Sequence, residues 1–127
     1  DNKTVLFSES GSRGNTVLSS ILDLKNRTIK SLDIQLIPEK CVWSKKESSV
    51  FCGLSGLPPK AIYPDDWYKG VISFADIIVK INASSLSATS ISLEDGLDII
   101  YPFLGQDESA LFFINKLDGS LWGVNLK

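Results

Sequence analysis

The chain has 127 residues, 43% hydrophobic and 22% charged, with a net charge of −2. That suffices for one globular domain with a real core, and it excludes the basic excess of a general nucleic-acid surface. No apolar run approaches the roughly 18 residues of a membrane span, and the absence of His removes the commonest general base and every His-dependent triad.

The opening "DNKTVLFSES" lacks the charged-then-apolar pattern of a leader. Asp1 stands where an initiator Met would, and the chain contains no Met, so the sequence reads as a processed or excised piece. Helical periodicity is poor throughout, whereas period-2 alternation and β-branched residues are frequent. Strands are predicted at 4–9 and 15–24, split by "SGSRGN", and at 28–36 after "KNR". They continue at 40–44 and 49–54, around "KKES", and at 71–82 and 87–93, around "SS" at 84–85. The last are 97–103 after "EDG", 110–115 after "GQDES" and 120–126 after "LDG". Ten short strands separated by turn residues, with no helix, predict an all-β protein connected mostly by hairpins.

The strands repeat. "KTVLFSE" at 3–9, "SSVFCGL" at 48–54 and "SALFFIN" at 109–115 align as one set, and "SSILD" at 19–23, "IVKIN" at 78–82 and "LWGVN" at 121–125 as a second. Equating Val5, Val50 and Leu111 gives steps of 45 and 61; equating Leu22, Ile81 and Val124 gives 59 and 43. One unit is therefore about 43–45 residues, within the range of four-stranded propeller blades. The middle unit carries roughly 16 extra residues, the size of a functional loop. The two sets are 17, 31 and 13 residues apart in the three units, so the excess lies between the second and third strands of the middle unit. It is "SGLPPKAIYPDDWYKG" at 55–70.

"YPFLGQDESALFFINKLDGSLWGVNLK" resembles a TolB-like, WD-type β-propeller repeat, with an "xLFF" strand and a "DGxLW" turn, and "CVWSKKESSVFCGL" resembles the first half of the same unit. The turn motif of those repeats is replaced by "LGQDES" and "SKKES". The resemblance implies a partial propeller of about three blades, two of them incomplete, in a single domain 1–127. Blade 1 covers 1–37, blade 2 covers 38–95 with its insertion at 55–70, and blade 3 covers 96–127. With strands lettered from the axis outward, the chain reads B-C-D, A-B-C-D, A-B-C. Three blades do not close a ring, so the piece belongs to a longer chain or assembles, and two copies supply six blades. A ten-stranded β-sandwich or barrel is the alternative.

Several candidate sites follow. The resemblance places the B–C and D–A loops, at 10–14, 37–40, 55–70, 94–97 and 116–119, on one binding face. Tyr63, Asp65, Asp66, Trp67 and Tyr68 would present aromatic area and carboxylates there to a protein, a sugar or a cation. The other reading is that Trp67 folds back as a lid over the blade. Asp65, Asp66, Glu94, Asp95 and Asp98 could share that face as acids for glycan cleavage, which needs two carboxyls about 5–9.5 Å apart, but no spacing selects a pair. A hairpin pairing Ser44 with Ser49 also pairs Cys41 with Cys52, which could bridge or remain two buried thiols. A bridge would imply export, and the family is often extracytoplasmic. "NKT", "NRT" and "NAS", at Asn2, Asn26 and Asn82, match the glycosylation pattern but read as turn asparagines. The expectation is a non-enzymatic module that binds a protein partner or itself. It has no cofactor, metal, nucleic-acid partner or membrane insertion, and a lectin-like module is the alternative.

Overall fold

A computed structural model describes residues 3–14, 16–56, 60–93 and 96–126. They form ten strands: β1 (Thr4–Ser10), β2 (Val17–Asp23), β3 (Thr28–Leu32), β4 (Cys41–Trp43), β5 (Ser49–Leu54), β6 (Ile77–Asn82), β7 (Ala88–Ile91), β8 (Ile99–Leu104), β9 (Ala110–Asn115) and β10 (Leu121–Asn125). Consecutive strands pair antiparallel into three sheets, ordered β1-β2-β3, β4-β5-β6-β7 and β8-β9-β10, and no strand exchanges between sheets. We number them sheets 1, 2 and 3. They fall within 1–37, 38–95 and 96–127, the ranges of the three units.

The aligned residues meet in space. Val5 faces Leu22, Val50 faces Ile81, and Leu111 faces Val124, each as direct partners across the second and third positions of the unit. The connecting turns use the expected chemistry. Asn82 Oδ1 accepts from the N–H groups of Ser84 and Ser85, and Asp118 Oδ1 accepts from Ser120 N, so short polar side chains satisfy backbone donors where strands reverse. Gly119, with φ of 74°, closes the "LDG" turn in a region that costs a side chain free energy.

Sheet 2 lies between the other two. Toward sheet 1, Leu36, Val50, Cys52, Val79 and Ile81 form one buried cluster joined by Leu6 and Leu32. Toward sheet 3, Phe51, Ile78, Ile99, Leu111 and Phe113 form another, joined by Trp122 and Val124. The period-2 alternation of β5 thus serves both neighbours, Val50 and Cys52 on one side and Phe51 on the other. A Cβ on Gly53 would lie 2.9 Å from Ile99 Cβ, so glycine permits sheets 2 and 3 to approach closely there.

The expectation of no helix is corrected. A one-turn helix α1 covers Asp65–Tyr68, and a 3₁₀ turn covers Pro38–Lys40. Strand β6 also begins at Ile77 rather than 71; residues 71–76 are irregular, with Phe74 packed against Trp67. Pro and adjacent acids at the start of a short helical turn are compatible with helix geometry; four residues are too few for periodicity to reveal.

Candidate functional site

The inserted segment does not project as a free hairpin tip. Tyr63 N–H donates to Gly14 O at 2.7 Å, and the Ser10 hydroxyl donates to Tyr63 O, so the segment is fastened to the β1–β2 turn of sheet 1. Asp66 Oδ2 accepts from Ile62 N at 2.8 Å, closing the loop on itself. Trp67 and Tyr63 are buried with Val17, Ile37, Ala61 and Phe74 in a third core cluster. The Trp67 and Phe74 rings stack with centroids 6.0 Å apart.

Trp67 leads to a buried ionic cluster. Its Nε1 donates to both carboxylate oxygens of Asp98 at 3.0 Å. Lys40 Nζ lies 2.6 Å from Asp98 Oδ1 and 2.6 Å from Asp76 Oδ2, with all three side chains nearly inaccessible to solvent. Lys40 also donates to Ile99 O at 2.8 Å and sits 4.7 Å from the Trp67 ring centroid. Asp98 further accepts from Phe74 N–H at 3.2 Å, and Asp76 Oδ2 from Ile99 N–H at 2.8 Å. One ammonium thus serves two carboxylates. Asp76 Oδ1 has no hydrogen-bond partner among the described residues. Burial pushes the Asp76 carboxyl above its ordinary range, against the pull of Lys40 and of the Ile99 N–H.

Backbone from three separate connections meets at this cluster. The 37–40 turn brings Lys40, 96–98 brings Asp98, and Lys116 N–H donates to Asp98 O at 2.8 Å. Asn115 Oδ1 accepts from Asp98 N at 3.1 Å.

The expected site residues separate. Tyr63 and Trp67 are 1% and 0% exposed. They offer no ring to a ligand, and the lid arrangement is the one observed: a large aromatic surface beside irregular backbone gains more from burial than from solvent. Asp65 and Tyr68 are exposed and Asp66 is half-buried. The Tyr68 hydroxyl is pushed above its ordinary pKa first by burial, then by its hydrogen bond to Glu39. Tyr68 borders a groove of about 150 Å³ together with Ser8, Ser10, Pro38 and Glu39. Of the five acids considered for glycan cleavage, Asp98 is consumed by Lys40 and Trp67, and Glu94 and Asp95 lie outside the described residues, as do Asn2 and residues 57–59. Asn82 serves its own turn.

Cys41 and Cys52 are direct cross-strand partners and form a disulfide with Cα atoms 4.0 Å apart. Ser44 N–H donates to Ser49 O, so residues 49, 51 and 53 bond toward β4. The cysteine pair therefore occupies a non-hydrogen-bonded position, where side chains stand closest. At the opposite end, Glu108 clamps sheets 2 and 3, accepting from the Ser44 hydroxyl at 2.6 Å and from Lys45 N at 2.7 Å.

Lys40 and Asp76 were not singled out in the sequence. A signal exists: "ADII" at 75–78 and "LDII" at 97–100 each set an Asp directly before an apolar run, where a buried carboxyl calls for a cation or a proton. Among the described residues, no group of three or more His, Cys, Asp or Glu could hold a metal. No protein-family model matches this sequence, and no curated protein or solved structure matches it.

Proposed function

We propose that the chain is a non-enzymatic assembly module, a three-blade section of a β-propeller that is completed by a second copy and works outside the cytoplasm. The observation that carries this reading is a difference in burial at one register position. Val50 and Leu111 are 0% and 1% exposed, but Val5 is 40% exposed. Val5 shares the outer face of sheet 1 with Phe7, Leu18, Leu22 and Ile29, as the strand partners require. At the other end, Phe103 and Leu121, 49% and 64% exposed, share the outer face of sheet 3 with Phe112 and Ile114. An apolar face at each end fits a neighbour better than solvent. Head-to-tail contact of two copies would cover both faces and close a six-blade ring, a heterologous contact that terminates itself. The Cys41–Cys52 bridge supports an oxidising compartment. The commitment of Asp98 to Lys40 and Trp67 supports a role without catalysis.

Sedimentation equilibrium tests the reading. A dimer is expected, and Leu18→Lys or Leu121→Lys should each dissociate it while leaving the thermal midpoint of the monomer nearly unchanged. A chain that stays monomeric at roughly 100 μM, well above the Kd of a specific interface, overturns self-assembly.

A further inference from the structure

Strand β1 lies at the edge of its sheet, with β2 on one side and no strand on the other among the described residues. Its counterparts β5 and β9 are each covered by the first strand of their sheet, β4 and β8. Around Leu6 and Ser8 this edge is also chemically open. Leu24 N–H donates to Lys3 O and Gly11 N–H to Thr16 O, so residues 3, 5, 7, 9 and 11 bond toward β2. By alternation, Leu6, Ser8 and Ser10 direct their N–H and C=O groups away from β2. The groove bordered by Ser8, Ser10, Pro38, Glu39 and Tyr68 opens alongside that edge.

We infer that β1 and this groove accept an extended segment of a partner polypeptide, which adds as an antiparallel strand. The inference deepens the assembly reading and rests on the same equivalence of the three sheets. The covered sheets supply the side-chain pattern. Opposite Phe51 and Phe112, the counterparts of Leu6, stand Val42 and Phe103. Opposite Val50 and Leu111, the counterparts of Val5, stand Trp43 and Leu104. The incoming strand therefore carries an apolar residue followed by a large apolar residue. In sheet 2 that pair is preceded by Lys40-Cys41. The groove is also lined by Glu39, so a basic residue two places before the apolar pair meets complementary charge. Backbone bonds give affinity in such strand addition, and alternate side chains give specificity.

The test uses the intact chain and a labelled peptide copying residues 38–44 with Cys41→Ser, read by fluorescence anisotropy. The residue opposite Leu6 exchanges both backbone bonds with β1, and the residue opposite Val5 exchanges none. N-methylation at the Val42 position should therefore weaken binding by about tenfold or more, the loss expected when a buried acceptor is left unpaired. N-methylation at the Trp43 position should be tolerated. Replacing the peptide's Lys by Glu, or Glu39→Lys in the protein, should also weaken binding. Equal binding of both N-methylated peptides overturns strand addition, as does no binding by a folded chain. These outcomes are independent of dimer formation. A dimer that binds no peptide removes this inference alone, and a monomer that binds it removes only self-assembly.

Discussion

Val50 in the middle sheet and Val5 in the first are the same amino acid at the same place in the same antiparallel pairing, yet one is sealed and the other is nearly half in water. Local sequence is not what separates them. Each strand supplies two faces, and a face is buried only when another sheet lies against it. Sheet 2 has neighbours on both sides and holds the disulfide, Lys40 and the largest share of the core. Sheets 1 and 3 each have one among the described residues. Stability should therefore be concentrated at the two seams of sheet 2 and sparse on the outer faces.

The strongest way to break this contrast is at the ionic cluster. Lys40→Met leaves two buried carboxylates without a cation and should cost about 3–5 kcal/mol in urea denaturation. Combining it with Asp76→Asn and Asp98→Asn should recover much of that loss, since the charges go together. Next, Leu111→Ala should cost about 2–5 kcal/mol, while Val5→Ala at the equivalent position should change stability by less than about 0.5 kcal/mol in the monomer. Similar losses at both would show that the sheet 1 face is covered. Removing the bridge with Cys41→Ser and Cys52→Ser should cost about 2–3 kcal/mol on the chain-entropy account of so short a loop, measurable as a shift in denaturation midpoint.

The smallest effect is a difference in pH dependence. Asp76 binds its proton more tightly folded than unfolded. Its contribution favours folding as pH falls toward the ordinary carboxylate value of 3.8, and it is lost as pH rises through the raised folded value. Glu108 behaves oppositely. Burial pushes it up, but hydrogen bonds from Ser44 and Lys45 and the charge of Lys46 together hold it below 4.5. Its contribution is present above 4.5 and fades as pH falls through the lowered folded value. Stability profiles of Asp76→Asn and Glu108→Gln should therefore deviate from the parent with opposite slopes in the acid range.

The all-β character, the grouping of strands and the pairing of Cys41 with Cys52 were legible because they rest on period-2 alternation and short turns, which are local. Helix α1 was not legible, since one turn leaves no periodic trace. Nor was the fate of Trp67. An aromatic beside two acids reads equally as a platform or a plug, and the choice depends on Asp98, 31 residues away. Lys40 was hidden for the same reason. Its partners lie 36 and 58 positions along the chain, and burial of a lysine is decided by them rather than by its neighbours in sequence.

Lys40 and Asp98 each stand directly before the first strand of their sheet, and they meet with opposite sign. Duplicating the middle unit beside itself would put a second ammonium where Asp98 stands and leave one carboxylate, Asp76, to serve two cations. The buried charges at this one junction would therefore favour Asp98 over a second lysine as the neighbour of sheet 2.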